Sequence, residues 1–228
     1  MFLIYADNLR HGAFKRGVLL LVAIQIVVFV IEQLTDRLSF APEFPLTFIP
    51  VLFSIKPLVY SYTLITASFL HSSFLHLFGN LMFLLGFGRT LEKLFGTVIF
   101  VSAYIFIGAL AYIGDWLLAP DSTVPIIGSS GAVAFLMGVY LMLFPHAKLR
   151  LLITIPPFFK KFLIPAYIFL LLWMGQQVYE ILSTDGRSNV AFATHIFGFL
   201  MGVIGAMAWK ELAENTKKQL DEFSETNK

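Results

Sequence analysis

Six long runs of apolar residues, separated by short polar stretches, dominate this sequence of 228 residues. The runs cover approximately residues 17–33, 70–87, 97–114, 126–144, 162–182 and 190–209. Because a helix needs about 20 apolar residues to cross a hydrocarbon core of about 30 Å, each run can form a transmembrane helix. Charged residues make up only 13% of the chain, against about a quarter in soluble domains. The sequence therefore predicts an all-α membrane protein, a bundle of six transmembrane helices over residues 17–209.

The segments outside the six runs are short. Residues 1–16 are predicted to be a polar, basic N-terminal lead, and residues 210–228 a charged tail. Residues 34–61 are too apolar for a free linker and too rich in proline for a span, so we expect this outer loop to lie in the membrane interface. The polar segments between runs predict a charged turn at residues 88–93 and a basic loop at residues 145–161.

The distribution of positive charge predicts the orientation of the bundle. Thirteen of the 16 Lys and Arg residues fall in the lead, the charged turn, the basic loop and the tail, which a six-span chain places on one side. Segments rich in Lys and Arg stay in the cytoplasm, so both termini are predicted to be cytoplasmic. By analogy, the compact form of the chain is typical of a prokaryotic plasma membrane. We expect no nucleic-acid partner, and the oligomeric state is left open.

Four polar side chains inside the apolar runs fall at similar depths. His76 and Asn80 lie in the second run, Ser130 in the fourth and His195 in the sixth, and all three runs are predicted to enter from the outside. At 1.5 Å per residue, their depths agree within roughly one or two helical turns. Polar groups inside a membrane are costly and usually face the bundle interior or a water-filled cavity. These four residues are therefore predicted to share one layer of the outer leaflet.

Small residues lie on the same helical faces as the serine and the histidine. Such stripes allow transmembrane helices to approach each other closely. The two stripes are Ser130, Ala134 and Gly138 on the fourth run, and His195, Gly198 and Gly202 on the sixth. The pattern predicts that these two helices cross with Ser130 against His195.

A serine beside a histidine can carry out nucleophilic catalysis. Ser130 is the predicted nucleophile, and His195 the general base that later protonates the leaving amine. Developing negative charge on a carbonyl oxygen needs fixed donors, and the candidates are Asn80, His76 and the backbone N–H of Ser130. No Asp or Glu is predicted inside the second, fourth or sixth span, so the site is expected to be a dyad in which packing orients His195.

Taken together and in chain order, four motifs resemble those of the rhomboid intramembrane serine proteases with a six-helix core. The motifs extend over about residues 62–205. They are His71-x4-His76-x3-Asn80, Gly88-x3-Glu92-x3-Gly96, Gly128-x-Ser130-Gly131-Ala132 and His195-x2-Gly198-x3-Gly202.

This resemblance implies a function, a substrate class and further roles. It implies cleavage of single-span membrane proteins at or near their transmembrane segments, within the lipid bilayer and without a metal or cofactor. His76 and Asn80 are implied to form the oxyanion site, and the fifth span to act as a lateral gate for substrate. The residues implied to be structural near the site are His71, Gly128, Gly131, Gly198 and Gly202.

The chain departs from the family at Ala134, where an aromatic residue commonly stacks on the histidine, so the partner that holds His195 is not assigned. Gln176 and Gln177, near the far end of the fifth run, are taken as interfacial or water-lining groups without a chemical role. Asp115 and Glu92 are assigned to turns.

Other functions have weaker support in the sequence. Catalytically silent rhomboid relatives, which act as membrane chaperones or retrotranslocation factors, lack the serine or the histidine, whereas this chain has both. A metal site would need carboxylate support that the histidine motif lacks, and the absence of cysteine excludes thiolate ligands. A small transporter would be indicated by inverted repeats or charged residues at the midplane, and neither is found.

Overall fold

The structure is a computed structural model that describes residues 2–7, 9, 16–35, 45–155, 158–183 and 191–226. It is mostly helical, with one small antiparallel sheet. The elements in chain order are β1 (Phe2–Asp7), α1 (Arg16–Thr35), α2 (Pro50–Ile55), α3 (Pro57–Tyr60), α4 (Thr63–Thr66), a 3-10 helix (Ala67–Phe69), α5 (Phe74–Phe95), α6 (Thr97–Ala111), α7 (Ile113–Leu118), α8 (Ser130–Leu143), β2 (Lys148–Ile155), β3 (Phe158–Pro165), α9 (Ala166–Ser183) and α10 (Phe192–Thr226).

Four helices of the described chain are long and apolar enough to cross a membrane. They are α1, α5, the α6–α7 segment (Thr97–Leu118) and the first part of α10 (Phe192–Asn215). Helices α8 and α9, of 14 and 18 residues, occupy the positions of the predicted fourth and fifth spans. The predicted helical membrane fold is thereby confirmed, whereas the count of six spans and the side of the termini stay predictions.

Helix α8 lies at the centre of the bundle. Its residues are buried from Gly131 to Tyr140, except for Phe135, because α5, α6 and α10 pack around it. On α10, the glycine at position 198 lies against the carbonyl oxygen of Gly131, and Gly202 lies against that of Phe135. The predicted crossing of these two helices is present, and small residues allow the close approach.

Helix α5 does not end where the sequence predicted. It begins at Phe74, where the Ser73 hydroxyl accepts the His76 N–H at 3.1 Å, and it continues to Phe95. The charged turn predicted at residues 88–93 is therefore wrong, because that segment forms the last turns of the helix. The chain reverses instead at Gly96, whose φ of 81° is a conformation that glycine adopts without strain.

The buried carboxylate of Glu92, near the end of α5, is compensated by three hydrogen bonds. It accepts hydrogen bonds from the backbone N–H groups of Gly17 at 2.7 Å and Val18 at 2.8 Å, and from the Thr97 hydroxyl at 2.7 Å. The N–H groups of a first helical turn lack partners within the helix and favour a negative charge. Glu92 therefore caps α1 from a helix that lies 75 residues later in the chain.

A three-stranded antiparallel sheet in the order β1-β2-β3 joins two segments that the sequence predicted as a basic lead and a basic loop. The sequence predicted no strand in either segment. In β2, Lys148 and Arg150 are exposed, whereas Leu149 and Leu151 are buried. This alternation with a period of two is a strand signal that the basic character of the segment concealed.

The described part of the outer loop is a series of short helices. Pro50 and Pro57 occupy the first turns of α2 and α3, where the missing N–H of proline costs nothing. Phe48 pairs with Ile126 in an isolated antiparallel bridge, which holds this loop beside the start of α8. Leu58 is 92% exposed. An exposed apolar face agrees with a location in the membrane interface, which stays a prediction, and residues 36–44 lie outside the described part.

Candidate active site

Ser130 is the first residue of α8, rather than a residue several positions inside a helix that starts at 126. The backbone reaches it through Gly128, whose φ of 115° is rarely adopted by residues with a side chain. The hydroxyl of the buried Tyr112 donates to the carbonyl oxygen of Gly128 at 2.8 Å. The turn that presents Ser130 is thus fixed on its N-terminal side.

Ser129 supplies a second anchor for the same turn. Its hydroxyl donates to Gln25 Oε1 at 2.8 Å, and Gln25 Nε2 donates to the Leu21 carbonyl at 3.3 Å. Both Ser129 and Gln25 are buried, so this bond between α1 and the start of α8 is shielded from water. The sequence predicted no such role, although Gln25 is the one polar residue in the interior of the first apolar run.

His195 lies in the first turn of α10, directly opposite Ser130. Its Nε2 atom is 2.8 Å from Ser130 Oγ. The N–H of the preceding Thr194 donates to Asp115 Oδ2 at 2.7 Å, which places a carboxylate at the N-terminus of α10. Asp115 belongs to α7, whereas the sequence analysis had assigned it to a turn. The contact between the two predicted reactive side chains is therefore present and is supported on both helices.

Helix α9 holds the other side of the histidine. Gln177 Oε1 is 2.7 Å from His195 Nδ1. The rings of Trp173 and His195 have centroids 5.8 Å apart and an interplanar angle of 36°, and Phe192 contacts the histidine edge-on at 6.2 Å. The expectation that packing alone orients His195 is wrong, because Gln177 also bonds to its ring. Trp173 and Gln177 are four residues apart, which is a signal that they share one helical face.

His76 and Asn80 on α5 line the same cavity as Ser130 and His195. The cavity has a volume of about 950 Å³. A Cβ atom at Gly128 would lie 2.6 Å from His76 Nε2 and 3.7 Å from Asn80 Nδ2, so both nitrogens are close to the turn before the serine. Asn80 is buried, and its Nδ2 atom makes no hydrogen bond to the described residues. The four side chains predicted to share one layer do meet in one cavity.

His71 lies just before α5 and does not line this cavity. Its backbone N–H donates to Glu32 Oε2 at 3.1 Å, and its ring packs edge-on against His76 with centroids 5.1 Å apart. Burial lowers the pKa of the His71 imidazole from 6.5 to about 4, and the neighbouring His76 acts in the same direction. The geometry agrees with the predicted structural role of His71, which supports the His76 ring.

Gly131, the residue after the serine, lies where three helices meet. A Cβ atom there would be 2.6 Å from the Ala111 Cβ and 2.8 Å from the Thr194 Cγ2. Any side chain would push α8 away from α10 and so separate Ser130 from His195.

The sequence also raised a metal site for the histidines, yet within the described ranges no group of three or more His, Asp or Glu side chains has a geometry that could hold an ion.

The fold and the candidate site together define the class of protein to which the chain belongs. The chain is an integral, multi-pass membrane protein whose central helices place a serine hydroxyl and a histidine ring in contact. A family model for the rhomboid domain matches residues 60–211, about two thirds of the chain. The protein belongs to the rhomboid family.

Three curated relatives illustrate the relationship. RHOMBOID-like protein 12, mitochondrial, from Arabidopsis thaliana is 29% identical over 169 residues, which cover 66% of this chain and 46% of the relative. Rhomboid-like protein 11, chloroplastic, from the same plant is 37% identical over 78 residues, 34% of this chain and 28% of the relative. Putative rhomboid protease YdcA from Bacillus subtilis (strain 168) is 38% identical over 80 residues, 35% of this chain and 40% of the relative.

The matched region spans less than half the length of each of these relatives. Two of the three are organellar by name, so the expectation of a prokaryotic plasma membrane is not supported. An integral membrane location is supported by the rhomboid domain and by the long apolar helices.

Proposed function

We propose that this protein is an intramembrane serine endopeptidase that cleaves transmembrane segments of single-span membrane proteins through an acyl-enzyme. The observation that carries the proposal is the distance of 2.8 Å between Ser130 Oγ and His195 Nε2. A serine hydroxyl becomes a competent nucleophile when a base at hydrogen-bond distance removes its proton. His195 is the base in the attack step and then donates the proton to the leaving amine.

The negative charge of the tetrahedral intermediate would be stabilised by donors around Gly128. Asn80 Nδ2 is buried beside this turn without a partner among the described residues, and it can donate to an oxyanion. His76 Nδ1 is 3.2 Å from the Ser72 hydroxyl. When Ser72 donates to Nδ1, the proton of His76 resides on Nε2, which faces the same turn. The Ser130 backbone N–H is the third donor.

The substrate class is inferred from the surroundings of the cavity. The reactive pair lies among helices that cross the membrane, and the cavity wall is largely apolar, with Phe83, Ile126, Val133 and Trp173 among its lining residues. A peptide segment that reaches this cavity must leave a lipid environment and expose its backbone to Ser130. A transmembrane segment of another protein meets the first condition, and it meets the second after local unwinding, because a membrane helix pairs its backbone groups internally.

The test is cleavage of a fluorescent single-span substrate by the purified protein in detergent. Ser130→Ala and His195→Ala are each expected to abolish cleavage while the helical circular dichroism spectrum is retained. The matched control is Ser102→Ala, because Ser102 is an exposed serine on α6 outside the site cavity, and it should cleave like the parent.

A serine-directed fluorophosphonate should label the parent and the Ser102→Ala variant but not Ser130→Ala. Cleavage by Ser130→Ala at the parental rate would refute the proposal. Loss of activity with a chelator, restored by added metal, would point to a metal-dependent reaction instead. A folded parent that neither cleaves nor reacts with the phosphonate would favour a catalytically silent member of the family.

A further inference from the structure

We propose that Gln177 on α9 is a positioning residue that holds His195 in the tautomer and orientation needed to accept the proton of Ser130. This inference rests on the proposed function and adds a third member to the pair. It begins from the bond of 2.7 Å between Gln177 Oε1 and His195 Nδ1, on the side of the ring opposite to Ser130.

The orientation of the Gln177 amide is fixed within α9. Gln177 Nε2 donates to the Trp173 carbonyl at 3.3 Å, so Oε1 is the atom that faces the histidine. The reversed amide would place Oε1 against the Trp173 carbonyl, where two acceptors oppose each other. Gln177 is 5% exposed, and water therefore does not compete effectively for these bonds.

The amide oxygen selects one tautomer of the imidazole. A carbonyl oxygen can only accept, so the proton of neutral His195 must lie on Nδ1. The lone pair of Nε2 then points at Ser130 Oγ, which is the arrangement that a general base requires. The opposite tautomer would bring two lone pairs together at Gln177 and leave no base at the serine.

Gln177 orients the ring without placing a charge beside it. Of the described elements packed around His195, α5 contributes the titratable His76, α7 contributes Asp115, whose Oδ2 accepts the Thr194 N–H, and α8 contributes the neutral Ser130. No carboxylate among the described residues bonds to the ring itself. A glutamate at position 177 would therefore create a new interaction with protonated His195, and this provides a specific readout.

The experiment compares Gln177→Leu and Gln177→Glu with the same two substitutions at Gln176. Gln176 is the neighbouring glutamine on α9 and is exposed, so it controls for changes in helix composition and charge. We expect Gln177→Leu to lower kcat on the order of 10–100-fold with little change in KM, the range found when the hydrogen-bond partner of a metal-ligating histidine is removed. The Gln176 variants should match the parent.

The Gln177→Glu variant keeps an acceptor at Nδ1, although its second oxygen opposes the Trp173 carbonyl, so it should recover part of the rate lost in Gln177→Leu. Because its carboxylate stabilises the protonated imidazole, the acidic limb of the curve of kcat/KM against pH should move to higher pH. Gln176→Glu should leave this limb in place. A role limited to helix packing would lower the folded fraction without moving the limb.

Three outcomes would overturn the inference. They are parental turnover by Gln177→Leu, an unmoved acidic limb in Gln177→Glu, and 15N spectra of His195 that show no Nδ1–H in the parent. The 15N measurement needs no substrate, so it separates the two proposals. If the parent fails to cleave but its His195 carries the proton on Nδ1, the proposed function fails while the selection of the tautomer by Gln177 stands.

Discussion

Gly202 on α10 lies directly against the carbonyl oxygen of Phe135 on α8, with no space for even one methyl group between the helices. A Cβ atom at position 202 would also lie 2.9 Å from the backbone nitrogen of Val139. These helices carry Ser130 and His195 at their N-terminal ends. The separation of the helices at Gly202 therefore influences whether the Ser130 and His195 side chains remain at hydrogen-bond distance.

Gly202→Ala should accordingly lose both stability and activity. We expect a loss of about 1–3 kcal/mol, typical of an overpacked contact, and a fall in the cleavage rate measured at a temperature where the protein is folded. Gly205→Ala is the matched control, because a Cβ atom there meets nothing within 4 Å. It should leave the midpoint of thermal unfolding unchanged or raise it slightly, since alanine favours a helix. Equal effects of the two substitutions would contradict the packing argument.

Asn80→Ala should lower turnover without abolishing it. Removal of one oxyanion donor typically costs about 100–1,000-fold in kcat, although the remaining donors can reduce this loss to about tenfold. Initial rates with the fluorescent substrate, at several concentrations, would show the loss in kcat rather than in KM. A loss larger than that of Ser130→Ala would be inconsistent with a supporting role.

Glu92→Gln should destabilise the bundle although it lies far from the cavity. All three partners of Glu92 donate hydrogen bonds to its carboxylate. The NH2 group of a glutamine cannot accept, so at least one of the bonds from Gly17, Val18 or Thr97 is lost. The expected cost is about 1–3 kcal/mol, measured as a lower unfolding midpoint in detergent. Glu214→Gln removes an exposed carboxylate and should have little effect. A midpoint for Glu92→Gln equal to that control would show that the cap contributes nothing.

Acid should destabilise the folded protein partly through His71. Its pKa is about 4 in the folded state and 6.5 for the unperturbed group, so above pH 6.5 neither state is protonated. As the pH falls from 6.5 towards 4, the unfolded chain binds a proton that the folded protein excludes, and stability is lost in that window.

His71→Gln should show a shallower fall of the unfolding midpoint between pH 7 and about pH 5 than the parent. His146→Gln, which removes an exposed histidine, should keep the parental slope. Equal slopes for all three proteins would rule out His71 as a source of the acid sensitivity.

The contact between Ser130 and His195 could be predicted from the sequence because polar residues are rare inside apolar runs and are therefore easily recognised. Ser130 and His195 fall at one depth, and the glycines on their faces indicate which sides of the helices meet. Gln177 could not be assigned in this way, because a glutamine near the end of a span is equally typical of a water-lining position. Only the packing of α9 against α10 brings it to the histidine.

Glu92 and the sheet were missed for related reasons. A carboxylate followed by lysine resembles a turn when the sequence is considered locally, and its partners at Gly17 and Val18 belong to a distant helix. In the sheet, the alternation from Lys148 to Leu151 was present, but the strand β1 that pairs with β2 lies at the other end of the chain. Local sequence patterns indicate which face of a helix or strand is buried and how deep a residue lies in the membrane. Contacts between residues far apart in the chain become visible only in the folded structure.

The start of α8 at Ser130 has a consequence for substitutions of the cavity residues on α5. Intrahelical bonding begins with the Val133 N–H donating to the Ser129 carbonyl, so the amides of the first turn are directed outward around the serine. These peptide groups persist whatever the neighbouring side chains are. In the proposed reaction these amides would still donate to an oxyanion after a side chain on α5 is replaced, so no single replacement there should abolish cleavage unless it also dislodges the turn at Gly128.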